Sequence, residues 1–402
     1  MATRTFGAPI KRREDPRLLA GQGRYVGDVE RPGMLHAAVL RSPHAHARIT
    51  GIDVGEARAL DGVLLALTHA DLGPVRDRTP LLIPHDALTH PQTQYALAKD
   101  RVNYVGESIA FVVATDRQTA EDALELIRVE YEVLPPQVDL ERAVEGGATL
   151  VHEELGTNVA AYYVGDVGDV DAAFARASHV FRERLRIERS ASMPLETRGV
   201  VADWDAGEGT LRVWASTQAP IGIRNGLAHF FGLPQHKVQV QAPDVGGGFG
   251  CKVLQFYPEE LLVPLASIRL GRPVKWIEDR REHFTATVHE RLQIHDAEIA
   301  VDDEGRILGI RDRFLHDNGA YTPYGIIVPI ITACCIPGPY KVPNYRVELR
   351  SVYTNTMIVT PYRGAGRPHA TFVMERLIER VAAELGIDRA EVRRRNFVRP
   401  DE

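Results

Sequence analysis

Apolar positions along the chain fall in short runs whose period switches between strand-like and helix-like. Residues 34–41 (MLHAAVLR), 47–54 (ARITGIDV) and 63–68 (VLLALT) predict strands, with a short helix at 55–60 between the last two. Residues 108–114 (SIAFVVA) form an unbroken apolar strand. Thr115-Asp116 then offers capping side chains to a helix with Ala120, Ala123, Leu124 and Ile127 on one face. Val129, Tyr131 and Val133 alternate as a further strand before Pro135-Pro136 breaks the pattern. These signals divide the chain into 1–140 and 141–402, each a mixed α/β region.

In the second region, 180–188, 211–216 and 236–241 read as strands, the last running directly into QAPDVGGGFGCK. Pro258 suits a helix first turn, Leu261, Leu262, Leu265 and Ile268 mark a buried stripe, and Gly271 and Pro273 end it. The order strand, glycine loop, helix start is one that points free backbone N–H groups at an anion. A second special loop, TPYRGAGRPH, sets Arg363 and Arg367 among Gly364 and Gly366. Its guanidinium groups suit oxyanions. It leads into a helix at 370–385 with Met374, Leu377, Ile378, Val381 and Leu385 on one stripe and Gly386 as stop. Asp388 and Glu391 predict a capping box for one more helix.

Composition narrows the function classes. A length of 402 residues is enough for two domains or more, and a net charge of −6 gives no electrostatic reason to expect nucleic acid or an anionic membrane. The opening MATRTFGAPIKRRED is polar, unlike a signal peptide. The longest apolar run, 324–336, is too short to span a bilayer and contains Pro329. A cytoplasmic location is the expectation. Cys251, Cys334 and Cys335 lack the spacing and number for an iron–sulfur cluster, so electrons leaving this protein would leave through another chain.

The glycine loop fails both familiar templates. From Gly246 or Gly248 the third glycine of a dinucleotide fingerprint falls on Cys251 or Val253, and Lys252 is followed by no Ser or Thr. A nucleotide-binding dehydrogenase is disfavoured accordingly. Three consecutive glycines, then Phe249 and Gly250, suit close approach of a ligand to main chain, with Phe249 placed to pack over a flat one. His36, His44 and His46 include an H-x-H pair without a third ligand, which reads as structural. Cys334-Cys335 reads as buried packing. Hydrolase motifs are missing from the sequence.

Seven stretches occur in one order: GQGRYVGDV, HAAVLRSPHAHARI, STQAP, DVGGGFGCK, PVKWIEDRREHF, DNGAY and PYRGAGRP. Together they resemble the molybdopterin-binding large subunit of the xanthine dehydrogenase, aldehyde oxidase and carbon monoxide dehydrogenase family. The resemblance implies an α+β (mixed α/β) fold: an α/β hammerhead domain over 1–140, then the first half of a molybdopterin-binding domain over 141–402. It implies a molybdenum–molybdopterin cofactor, in the cytosine dinucleotide form, with [2Fe-2S] and FAD on partner subunits. It also implies that Gln218, Gly247, Gly248, Phe249 and Gly250 contact the molybdenum end of the cofactor while Arg363, Gly364 and Ala365 form the opposite wall. The activity implied is oxidation of an aldehyde or N-heteroaromatic substrate, with water as oxygen source and electrons passed to the partner subunits.

Two positions depart from family patterns. Gly364 stands where carbon monoxide dehydrogenases carry a copper-binding cysteine, which speaks against carbon monoxide oxidation. Val253 stands where purine oxidases carry a glutamate. The family's general-base glutamate lies near the far end of longer subunits, so no catalytic residue is assignable here. The chain reads as the N-terminal part of such a subunit, or as one half of a split one, inactive without the remaining region and partners. The rival reading is a binding or assembly module of the same fold that does no chemistry.

Overall fold

The computed structural model describes residues 5–254 and 256–400; the first four residues of the polar opening segment and Asp401-Glu402 lie outside that range. The strands of the first third are β1 (Leu35–Arg41), β2 (Ala47–Asp53), β3 (Val63–Leu67), β4 (Arg101–Val102), β5 (Ser108–Ala114) and β6 (Arg128–Val133). They are followed by β7 (Val159–Val167), β8 (His179–Ala191), β9 (Gly199–Asp205), β10 (Thr210–Ala215) and β11 (Val238–Gln241). The last four are β12 (Val274–Ile277), β13 (His289–Val301), β14 (Ile307–Gly319) and β15 (Tyr345–Tyr353). Helices α1 (Asp15–Leu19), α2 (Gly55–Ala59), α3 (Arg117–Glu125), α4 (Val170–Ala175) and α5 (Pro220–Phe230) are short. Then come α6 (Pro258–Leu270), α7 (Arg280–Ala286), α8 (Ile327–Cys335), α9 (Arg367–Leu385) and α10 (Arg389–Asn396).

The strands form a seven-stranded sheet in the order β11-β10-β9-β12-β1-β5-β3, a five-stranded sheet β7-β15-β14-β13-β8, and a small sheet β4-β2-β6. The largest sheet joins strands from both regions: β1 pairs with β12 in parallel, Leu35 opposite Val274. Leu261, Leu262 and Leu265 of α6 pack with Phe111, Val113, Val213 and Trp276 in its core. Pro258 to Ser267 are all buried, so α6 is enclosed on every side and not only along the expected stripe. Against the five-stranded sheet, α9 buries Met374, Leu377, Ile378 and Val381, and Gly386 stops it in the left-handed conformation (φ 64°).

Most expected elements match to within a few residues; the differences have local causes. Residues 235–237 form a 3₁₀ turn after Pro234, so β11 starts only at Val238. Asp116 caps α3, and Asp388 caps α10 by accepting from Ala390 and Glu391. The Glu391 carboxylate turns to Arg395 at 3.1 Å rather than back to the cap. Cys334 is exposed, because α8 lies at the surface and turns that position outward; the buried cysteine is Cys251. His46 bonds the Pro135 carbonyl at 3.0 Å and His44 meets the Tyr131 ring edge-on, the structural role expected of both. Among the described residues no helix is long and apolar enough to cross a membrane.

Buried ionisable groups set a stability profile with two limbs. Burial pulls His152 down to about 4 and His369 to about 3, so both are neutral in the fold. Unfolding lets them take protons below their ordinary 6.5, and stability is lost from there down to about 3. Burial pushes Glu107 up to about 7 and Glu260 to about 8; their folded forms hold protons that the unfolded chain releases above 4.5. That contribution is lost as pH rises towards 8. The two trends oppose each other between 4.5 and 6.5, so the melting temperature should be level there and fall on both sides. Each group contributes at most about 1.4 kcal/mol per pH unit. Scanning calorimetry of Glu260→Gln should show a flatter alkaline limb; an unchanged limb refutes the assignment.

Candidate functional site

The glycine loop is tied down from its first residues. Arg17 in α1 grips the Asp244 carboxylate with both terminal nitrogens, one at 2.6 Å, and the Arg24 N–H donates to it at 2.8 Å. These bonds hold Asp244 down to about 2. One oxygen of Glu196 accepts from the Gly246 N–H at 2.7 Å, the Ser216 hydroxyl at 2.6 Å and the Lys252 ammonium at 3.1 Å. Lys252 also donates to Ser216 Oγ at 2.6 Å and to the Glu196 carbonyl at 2.9 Å. Its side chain is wholly buried, which draws the ammonium below its ordinary range against the pull of Glu196. A Lys–Ser–Glu clamp therefore underlies the loop. The sequence offered Lys252 as a clue, closing a glycine run, but gave no signal for Glu196 or Arg17.

Gln218 and the second loop meet the glycine loop on its other side. Gln218 Oε1 accepts from the Gly250 N–H at 2.9 Å, and the Gln218 N–H donates to the Lys252 carbonyl at 2.8 Å. The Arg363 N–H donates to the Phe249 carbonyl at 2.8 Å, and the Phe249 and Tyr362 rings stand 6.4 Å apart. Two loops more than a hundred residues apart in sequence are thus one surface, as expected. Gln218, Phe249, Arg363 and Gly364 are exposed there, Gly247, Gly250 and Ala365 are partly covered, and Gly248 is buried.

The glycines serve a purpose the sequence did not reveal. A Cβ on Gly248 would lie 2.5 Å from Gln218 Oε1, one on Gly250 would lie 2.0 Å from the Pro361 carbonyl, and one on Gly246 would lie 2.5 Å from Glu196 Cβ. The space freed is filled by the chain's own groups, so these glycines permit loop-to-loop contact before any ligand is considered. The expected anion site at the start of α6 is also corrected. Its first turn is buried, the Glu260 carboxylate accepts the Tyr257 N–H at 3.1 Å, and Glu259 pairs with Arg198 at 2.7 Å and with Arg41. The helix start is closed by the chain's own acids.

Backbone strain gathers at this junction. Phe249 (φ 53°) and Ala365 (φ 51°) take the left-handed region in the two loops, as do Arg291 (φ 70°) and Leu292 (φ 43°) in β13. The Arg291 guanidinium lies 5.3 Å over the Tyr362 ring, which joins this strained segment to the second loop. Among the described residues the N–H groups of Gly247, Gly248 and Phe249 find no acceptor and Arg363 pairs with no carboxylate. An open rim of donors, with one amide side chain and one guanidinium, suits a ligand rich in anionic or carbonyl oxygens. Those donors fit a pterin and its metal–oxygen group. No group of three or more metal-ligating side chains occurs among the described residues.

Comparison with known proteins places the two domains. Residues 151–397 match the molybdopterin cofactor-binding domain, and residues 20–135 match the aldehyde oxidase and xanthine dehydrogenase a/b hammerhead domain. The chain is 38% identical to the 6-hydroxypseudooxynicotine dehydrogenase complex subunit gamma of Paenarthrobacter nicotinovorans, over 98% of this chain and 50% of that one. It is 32% identical to the nicotinate dehydrogenase large molybdopterin subunit of Eubacterium barkeri, over 93% of this chain and 84% of that one. The crystal structure of quinoline 2-oxidoreductase from Pseudomonas putida 86 superposes with a TM-score of 0.92 at 41% identity, covering 98% of this chain and 50% of that one. Against the first and last of these, the chain spans about half of its relative's length. With both domains matched in order, the chain belongs to the family of molybdopterin-binding large subunits that includes the xanthine dehydrogenases, aldehyde oxidases and carbon monoxide dehydrogenases.

Proposed function

We propose that this chain is a portion of a molybdenum hydroxylase subunit that oxidises an aldehyde or an N-heteroaromatic ring, taking the inserted oxygen from water. It works in the cytoplasm beside partner subunits carrying [2Fe-2S] and FAD. Its residues 1–140 form the hammerhead domain, and 141–402 form the first half of the cofactor-binding domain. The observation that carries the reading is the junction of Gln218–Gly250 with Phe249–Arg363. The cofactor, in its cytosine dinucleotide form, would supply a metal centre able to accept two electrons.

The chain's own residues bind and orient. Gly250 occupies Gln218 Oε1, which leaves the Gln218 amide nitrogen as a donor in a fixed position. Gly247, Gly248 and Phe249 add main-chain donors, and Phe249 adds a flat apolar surface. Arg363, Gly364 and Ala365 form the facing wall, where the guanidinium favours negative charge. Gly364 in place of a cysteine leaves that wall without a copper thiolate and speaks against carbon monoxide as substrate. The Eubacterium barkeri large molybdopterin subunit, of which this chain spans 84%, is a relative of comparable extent.

Metal analysis and nucleotide release from the assembled complex test the reading. Stoichiometric molybdenum with cytidine nucleotide is expected, and an active complex without molybdenum overturns it. A folded complex with neither metal nor activity points to the assembly module instead. Gln218→Ala and Arg363→Ala should each lower turnover by about 10²-fold, the scale of removing one transition-state donor. Unchanged steady-state kinetics in both would remove these residues from the site.

A further inference from the structure

Beneath the second loop, the core between the five-stranded sheet and helices α8 and α9 is lined by Phe314, Ala333, Ala370, Val373 and Leu377. A string of polar side chains runs through it. Gln293 and His295 stand two residues apart on β13, and His316 lies opposite Gln293 on β14, so they share the covered face. His295 Nδ1 is 2.7 Å from Asp312 Oδ2 and its Nε2 is 3.0 Å from Gln293 Oε1. The ring is thereby held between the Asp312 carboxylate and the Gln293 amide. The Gln293 amide nitrogen then donates to His316 Nδ1 at 3.1 Å and to Thr332 Oγ1 at 3.2 Å. With that bond accepted, the Thr332 proton is left for a carbonyl: Val328 at 3.1 Å in its own helix, or Gly366 at 3.2 Å in the second loop. All five side chains are at most 2% exposed.

Stability alone does not account for this string. Replacing buried polar networks with apolar residues of similar volume is often neutral or favourable, and here, among the described residues, Asp312 Oδ1 has no partner. The string ends where the loop is pressed hardest against α8. A Cβ on Gly366 would lie 2.3 Å from the Val328 carbonyl and 2.4 Å from the Thr332 nitrogen. Immediately before it come Ala365 at φ 51° and Gly364 at φ 96°, a conformation that needs support from outside the loop.

We propose that Asp312, His295, Gln293 and Thr332 are positioning residues that hold the second loop through the Gly366 carbonyl and thereby set where Arg363 stands. This rests on the proposed function only for what Arg363 touches. Hydrogen exchange of the Arg363, Ala365 and Arg367 amides, bonded to the Phe249, Tyr362 and Gly364 carbonyls, reads the loop directly. It does so in the full chain, purified in the complex it forms, whether or not molybdenum is present. Failure of the cofactor reading is therefore seen separately, in the metal content.

Thr332→Val, which deletes the hydroxyl at equal volume, should speed exchange of these three amides about tenfold, the scale of one lost hydrogen bond. Thr332→Ser, which keeps the hydroxyl, should stay close to the parent. Gln293→Leu should follow Thr332→Val. Equal exchange in the Val and Ser variants overturns the proposal. So does faster exchange spread evenly over β13, β14 and the loop with a matching drop in urea midpoint, which marks simple destabilisation. Should Thr332→Val fail to fold, Asp312→Asn, which keeps the volume and removes the charge, is read by the same comparison.

Discussion

Gly250→Ala should separate the two loops and strip the site of its shape. The new methyl carbon would lie 2.0 Å from the Pro361 carbonyl oxygen and 3.1 Å from Tyr362 Cα, both backbone atoms that cannot swing away. The residue also sits at φ 114°, a region that alanine avoids. The bonds Gly250–Gln218 and Arg363–Phe249 would break as the loops part. A loss of at least about 3 kcal/mol is expected, from strain and overpacking together. Molybdenum retained per chain in the assembled complex should fall at least about tenfold. Gly271→Ala is the control. It too has positive φ (60°), at the end of α6, but a Cβ there meets nothing within 4 Å, so about 1 kcal/mol is expected. Urea midpoints and metal content for the two variants check the prediction; similar values in both would show that the loop contact is not needed.

Arg198→Met should be as damaging through charge. Arg198 is 4% exposed and binds Glu278 at 2.6 Å, Glu259 at 2.7 Å and Thr287 at 2.7 Å, with its guanidinium 3.8 Å over the Tyr257 ring. Burial pushes the Glu278 and Glu259 carboxyls up, yet Arg198, with His283 for the first and Arg41 for the second, pulls both below the usual range. Removing the arginine leaves these carboxylates buried with too little positive charge, a situation that typically costs about 3–5 kcal/mol. Their folded pKa values should then rise. The deficit against the parent should accordingly be largest near neutral pH and shrink as pH falls and the carboxyls take protons. Denaturation at two pH values checks this. A deficit independent of pH would mean that lost packing, not stranded charge, is the cause. The network joins β1 through Arg41, the start of α6 through Glu259, and the residues flanking β9 and β12, so its loss should loosen the sheet that combines strands of both regions.

Periodicity predicted the strands and helices named from the sequence because those elements answer to local rules; β13, β14, β15 and α8 were not among its readings. Residues 108–114 needed only an apolar run, and α9 needed only a stripe and a glycine stop. The candidate site was legible as two glycine-bearing loops, since residues that break helix and strand propensity stand out in one dimension, while Gln218 entered only through the family resemblance. Their partners did not stand out. Glu196 lies in an unremarked turn, Arg17 in the opening arm, and Gln293 and Thr332 in β13 and α8, elements that the periodicity did not single out.

What the sequence determined by itself was the inventory and its order: strand, glycine loop, buried helix, arginine loop, long helix. Seven motifs in sequence also tied it to one family. The tertiary structure alone decided how that inventory is used. It showed that the glycines make room for Gln218, Pro361 and Glu196, that the chain's own acids close the start of α6, and that Cys334 faces outward. The reason is physical: propensity and period act over a few residues, whereas a Cβ clash, a shared carboxylate or a buried proton depends on atoms brought together from distant parts of the chain.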